Sequence, residues 1–159
     1  MKAIALCVAL ALAAATANAA PKRLDDRASP RSQVNVESRW LHSGEGLNAE
    51  QLNAMVATVN NLEFRLDTSA YVGKRARIYL VIPEFVQGLR GPAGMRVEWT
   101  TRGQFMAGSA LPGQRTLVYD GMVQRPSMQE TLDLSVFLDA RYLERGLRFD
   151  PAFEIDVAP

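Results

Sequence analysis

Between Lys74 and Pro83 the chain alternates with a period of two, and this alternation limits its fold more than any other feature of the sequence. Ala76, Ile78, Leu80 and Ile82 fall on one face of an extended chain, and Arg75, Arg77, Tyr79 and Val81 on the other, because successive strand side chains point to opposite sides. Pro83 has no backbone N–H to give a ladder, so pairing is expected to stop there. The stretch reads as the central strand of a sheet, with the Ala76 face in the core and Arg75 and Arg77 in solvent.

The same period recurs along the chain. Val34, Val36, Ser38 and Trp40 mark a first strand, and Leu62, Phe64 and Leu66 another. Met95, Val97 and Trp99 follow, then Leu132, Leu134, Val136 and Leu138 with Glu130 at their start, and last Phe153, Ile155 and Val157. A weaker run, Phe105–Leu111, is interrupted by Gly108 and returns through Pro112-Gly113 into Arg115–Tyr119. About seven or eight strands with turn signals between them predict a mainly β fold, an immunoglobulin-like antiparallel β-sandwich with one short helix. The expected edge strands are Val34–Leu41 and Phe105–Leu111.

Residues 48–66 support two readings. Leu52, Met55, Val56 and Val59 sit at i, i+3, i+4 and i+7, and Asn48 with Gln51 resembles a capping box, which predicts a helix over 49–58. Alternatively, the apolar runs Met55–Val59 and Leu62–Leu66 flank Asn60-Asn61, a pair suited to a two-residue hairpin turn. Further on, residues 84–94 form a loop with Gly88, Gly91, Gly94 and Pro92, whose Phe85, Val86 and Leu89 either plug one end of the sandwich or touch a ligand. Tyr142–Gly146 reads as a bend or one helical turn.

The first residues carry one cation, Lys2, and then an apolar run from Ala3 to Ala17 that is too short to cross about 30 Å of hydrocarbon. With Ala17-Asn18-Ala19 behind it, this is the pattern of a secretory signal peptide cut after Ala19. The expected organisation is therefore a signal peptide over 1–19, a flexible N-terminal arm over 20–33 and a single sandwich domain over 34–159. The arm has mixed charge, two prolines and one large apolar residue, Leu24, too little to offset its ordering entropy. Export to the periplasm or the cell exterior follows, with no transmembrane segment after cleavage.

Cys7, the only cysteine, lies in the signal peptide and follows Leu6 rather than the small residues a lipidation site wants, so the mature chain has no thiol. Of 18 basic and 17 acidic residues, removing Lys2 leaves 17 against 17, a neutral balance that points away from nucleic acid.

Signals for chemistry are sparse. His42 is the only histidine, which excludes a multi-histidine metal site, and no glycine-flanked serine accompanies it. Gly88, Gly91 and Gly94 lack the Lys-Ser/Thr and helix of a phosphate loop. Asp133 and Asp139 share a face but lie about 20 Å apart along a strand. Asp25-Asp26 has no further ligands to make a cation site. No enzyme, metal or cofactor is expected.

The candidate partner or ligand surface is aromatic and basic: Tyr79 and Arg77 on the wet face of the central strand, Phe85, Leu89 and Arg90 in the loop, and Trp99 and Tyr119, with Trp40, if their strands present them outward. The alternative for Trp99 is a place at the centre of the core. These residues suggest an exported non-enzymatic binding or structural module that contacts another protein of the cell envelope. The alternatives are a carbohydrate-binding module, a pilin-like fibre subunit or, behind these, an enzyme accessory domain. An exported sandwich is similar in outline to bacterial pilin and pilus-chaperone domains, but residues 20–33 lack the alternating apolar residues of a donor strand. An outward cluster of Trp99, Tyr79 and Tyr119 would favour sugar, and a bare sheet edge or an apolar patch around Phe85 and Leu89 would favour protein.

Overall fold

The computed structural model describes residues 21–30, 38–148 and 150–157, so the expected signal peptide and the start of the expected Val34 strand lie outside the described residues. The fold is mainly β, in several antiparallel sheets with no barrel. A four-stranded sheet runs in the order Lys22–Arg23 (β1), Ala152–Val157 (β11), Arg75–Val81 (β4) and Arg115–Met122 (β8). A five-stranded sheet runs in the order Ser38–Trp40 (β2), Ala54–Asp67 (β3), Ser127–Asp139 (β9), Met95–Thr101 (β6) and Gly108–Ala110 (β7). Gln87–Leu89 (β5) and Leu143–Arg148 (β10) pair as a small third sheet.

As the alternation requires, β4 is flanked on both sides, and Ala76, Ile78, Leu80 and the following Ile82 are buried while Arg75 and Arg77 are exposed. On β9 the buried set runs Met128, Glu130, Leu132, Leu134, Val136 and Leu138 without a break. The two large sheets share one apolar core, in which the Phe64 ring of β3 meets the Phe153 ring of β11 edge-on at 4.9 Å. The expected edges, Val34–Leu41 and Phe105–Leu111, contain β2 and β7, which are the edges of the five-stranded sheet.

The connectivity differs from the immunoglobulin order. There the last two strands are neighbours in one sheet, whereas here β9, β10 and β11 lie in three different sheets. The antiparallel pairs β1 with β11, β3 with β9, β4 with β8 and β6 with β7 nest inside one another. One long two-stranded ribbon is thus wound up until β11 also meets β4 and β9 also meets β6, the strand nesting of a jelly roll. Among the described residues there are eleven strands rather than seven or eight: β1 and β5 are too short for their periodicity to register in the sequence, and β10 lies where a bend was expected.

The helix is also shorter than expected. Asn48 and Gln51 do form the reciprocal capping box, with Gln51 N–H donating to Asn48 Oδ1 at 2.9 Å and Asn48 N–H to Gln51 Oε1 at 3.0 Å. The helix, Ala49–Asn53 (α1), then gives way to β3 at Ala54. Met55, Ala57 and Val59 pair there with Leu138, Val136 and Leu134, and this long-range pairing outweighs the propensity of a short helix.

Neither is there a hairpin at Asn60-Asn61. Both residues face the single Asp133 across a β-bulge, with Asn61 at φ 57° and its N–H donating to Asp133 Oδ1 at 2.7 Å. The extra residue shifts the core-facing set from Ala57 and Val59 to Leu62, Phe64 and Leu66. This change of phase is what produced the helix-like spacing.

The expected flexible arm requires correction over residues 21–30. Lys22 and Arg23 pair with Ile155 and Glu154, and Leu24 donates its N–H to Phe153 O at 2.8 Å and is 3% exposed. One apolar side chain suffices because a core slot receives it. In the 84–94 loop Val86 is buried and Leu89 packs against the core, whereas Phe85 turns outward. Where a bend was expected at Tyr142–Gly146, a 3-10 turn, Ala140–Tyr142, leads into β10, and Leu143 and Leu147 pack against the core.

Candidate functional site

The residues proposed from sequence do not form one surface. Tyr79 lies on the outer face of the four-stranded sheet, but the Arg115 guanidinium covers its ring at 3.6 Å. Arg115 in turn donates from Nε to Glu154 at 2.8 Å and from a terminal nitrogen to Asp156 at 2.8 Å. Burial works against its charge, yet the two carboxylates outweigh this and hold the guanidinium above its ordinary range. On the same face Arg77 and Arg75 converge on Asp120 at 3.3 and 3.2 Å. This network pairs its own charges and lays Arg115 over one face of the Tyr79 ring.

Trp99 belongs to the core, 2% exposed, with its indole N–H donating to Met106 O at 3.0 Å. This corrects its place on the candidate surface: β6 turns it inward with Met95 and Val97. Tyr119 packs at 6.3 Å from Phe105 and donates its O–H to Met122 O at 2.9 Å. The outward Trp99, Tyr79 and Tyr119 cluster that would favour sugar is therefore not assembled. Arg90 on its loop reaches Glu144 at 3.3 Å, and Phe85 beside it is 89% exposed.

The apolar surface lies at the corner where β2, α1 and β3 meet. Trp40 stands opposite Met55, which stands opposite Leu138, which stands opposite Met95, so the four form one row across the sheet. Met95 and Leu138 are buried, but Trp40, outermost in the row, is 56% exposed. Leu41 continues the pairing by donating its N–H to Ala54 O at 2.8 Å, and Leu52 lies two residues before Ala54; both side chains are exposed. At the opposite edge the segment around β7 is tied to the facing sheet, with Met106 N–H donating to Val118 O at 2.7 Å. Among the described residues no strand pairs with the outer side of β2. Trp40 next to Leu41 was the available signal, since two successive large apolar residues on a two-faced strand cannot both face one core.

Behind α1 the same corner opens into a groove of about 440 Å³, with Glu50, Arg96, Phe137, Asp139, Arg141 and Tyr142 among its walls. Arg96 lies over the Phe137 ring at 4.5 Å and pairs with Glu98. Arg141 grips Asp139 through Nε at 3.0 Å and a terminal nitrogen at 2.6 Å, which holds the Asp139 carboxyl below the usual carboxylate range. Tyr142 packs so closely on Gly94 that a Cβ there would lie 2.2 Å from its own Cβ. The groove thus has polar walls in which Arg96 is paired with Glu98 and Arg141 with Asp139.

Among the described residues no three His, Cys, Asp or Glu side chains are grouped to hold a metal ion, and no helix is long and apolar enough to cross a membrane. His42 is exposed. Asp133 and Asp139 serve different partners, Asn61 with Arg102 in one case and Arg141 in the other. Comparison of the chain with protein-family models, with curated proteins and with solved structures finds no match.

Proposed function

We propose that the protein is an exported, non-enzymatic binding module of the cell envelope, and that it holds another protein at the β2 edge. The observation that carries this reading is Trp40, 56% exposed on the outermost strand of the five-stranded sheet, with Leu41 and Leu52 beside it. An edge strand presents backbone donors and acceptors that an added strand completes, and an exposed indole beside them supplies the apolar anchor. The occupant is an extended segment of a partner protein whose alternate side chains cover Trp40 and Leu52. The aromatic arrangement that a sugar-binding face requires is absent from Tyr79, Trp99 and Tyr119.

Photo-crosslinking in the expressing cell tests this. A photoreactive residue in place of Trp40 should give one discrete adduct with an envelope protein, lost on Leu52→Glu, and the same group at Lys74 should give none. Equal adducts from both positions would overturn the reading. Fractionation with N-terminal sequencing should find the chain outside the cytoplasm and beginning at Ala20.

A further inference from the structure

Little holds the stretch Pro21–Ser29 to the rest of the fold. Of the six residues in β11, β1 pairs with Ile155 and Glu154 alone. In this register Pro21 falls opposite Asp156, where its missing N–H ends the ladder. Leu24 is the one side chain of the stretch that enters the core. Beyond it, Asp67 N–H donates to Asp25 O at 2.8 Å and Arg65 N–H to Ser29 Oγ at 2.9 Å. Leu24 N–H to Phe153 O at 2.8 Å and Ser29 O–H to Arg65 O at 3.5 Å complete the ties to β11 and β3, whereas the Arg27 fork on Asp25 and the Ser29 N–H to Asp26 O lie within the stretch.

We propose that Pro21–Ser29 is an exchangeable strand, and that the surface it covers along β11 and β3 accepts the same stretch from a second copy of this chain. The spacing of the contacts selects this occupant. Leu24 fills the slot beside Phe153, Asp25 O meets Asp67 one residue later, and Ser29 meets Arg65 four residues after that. An unrelated strand satisfies the ladder but not this series. In a swapped pair every contact is regained between copies without any new surface, so exchange depends on concentration and on the segment joining Ser29 to β2. The covered edge is longer than its cover, which leaves the stretch at the low-stability end of the domain.

Two single-cysteine variants, both carrying Cys7→Ser, test the exchange. Arg23 and Glu154 face each other across β1 and β11, so Arg23→Cys in one preparation and Glu154→Cys in another become linked only when the stretch of one copy lies on β11 of the other. Mixing them under mild oxidation should give a disulfide-linked dimer that grows with concentration and incubation time. The dimer should be absent when Glu144→Cys replaces Glu154→Cys, or when Leu24→Asp is added to the first copy. Light scattering on the unsubstituted protein gives a second measurement that is independent of whether the variants fold. A dimer that survives dilution but returns to monomer after dilute refolding supports exchange, and monomer at every concentration overturns it. A dimer lost on Trp40→Glu but kept on Leu24→Asp would overturn it too, by assigning association to the β2 edge.

Discussion

Glu130 Oε1 accepts the backbone N–H of Gln104 at 2.8 Å, at the point where the chain leaves the end of β6. The carboxylate is 2% exposed and also receives the Thr101 hydroxyl at 3.3 Å and the Phe105 N–H at 3.4 Å. A side chain from β9 thus takes over donors that a strand would otherwise satisfy. The segment so held carries Met106, whose carbonyl receives the Trp99 indole and whose N–H crosses to β8.

Glu130→Ala should therefore destabilise the domain by about 1–3 kcal/mol or more, since it leaves buried donors without an acceptor. Urea unfolding monitored by Trp99 fluorescence checks this, and the emission should shift toward that of a wetter indole before global unfolding. An unchanged midpoint would show that water or a neighbour replaces the carboxylate.

Asn61, at φ 57°, occupies left-handed backbone space that a β-branched residue adopts only with strain. Asn61→Val should cost about 1–3 kcal/mol, while Asn61→Gly should be close to neutral. If both unfold at the same denaturant concentration, the bulge does not depend on this conformation.

Leu24→Ala should cost about 2–5 kcal/mol, the range for truncating a buried leucine. The loss should appear first as faster amide exchange at Asp67, whose N–H is held by Asp25 O, and less in thermal unfolding of the whole domain. An equal loss in both would show that the stretch opens only together with the rest of the domain.

The same stretch is expected to respond to acid. The Arg27 side chain, helped by its backbone N–H, pulls the Asp25 carboxyl down to about 2. A carboxyl whose folded value is depressed adds stability above its unfolded value and loses it as pH falls through the folded one. Protection at Asp67 should therefore hold above about pH 4 and decline toward pH 2, and Arg27→Ala should move that decline upward. Exchange rates measured across this range decide it, and a flat profile would rule out the Asp25 contribution.

Gly94→Ala should disturb the groove rather than the core, because the added methyl meets the Tyr142 Cβ at 2.2 Å. A stability loss of about 1–3 kcal/mol is expected, together with displaced ring resonances of Tyr142 by NMR and unmoved methyl resonances of Ile78. If the Tyr142 resonances stay in place, the backbone has absorbed the methyl.

The regular strands were legible because each keeps one face dry over its whole length. Leu132, Leu134, Val136 and Leu138 in β9, and Ala76, Ile78 and Leu80 in β4, could be read as core from the sequence. β3 was misread because Asn60-Asn61 inserts one residue and reverses the phase, and a local period cannot reveal a bulge whose partner, Asp133, lies 72 residues away. β1 escaped notice because a two-residue strand has no period and Leu24 is a lone apolar residue among charges. Strand order was outside the reach of periodicity altogether. At the site, alternation suggested Tyr79 as an open aromatic, but Arg115, 36 positions later in the sequence, covers it. The edge at β2 was expected, whereas the apolar corner built by Trp40, Leu41 and Leu52 depends on α1 stopping at Asn53.

The nesting of the strands also sets a timetable for the chain. β3 must wait for β9, and β4, which appears early, gains its two neighbours β8 and β11 only late in the sequence. Whenever this chain emerges progressively, from a ribosome or through a membrane pore, its first half shows β4 with neither mate and β3 with only the short β2 beside it. Such long-range closure is slow and open to misassembly. An intermediate ending near Arg125 would contain β4 paired with β8 but would lack β9 and β11, and it would invite precipitation. Recovery of the protein in soluble form should therefore depend on whatever shields those strands until Val157 has appeared, more than on the stability of the finished domain.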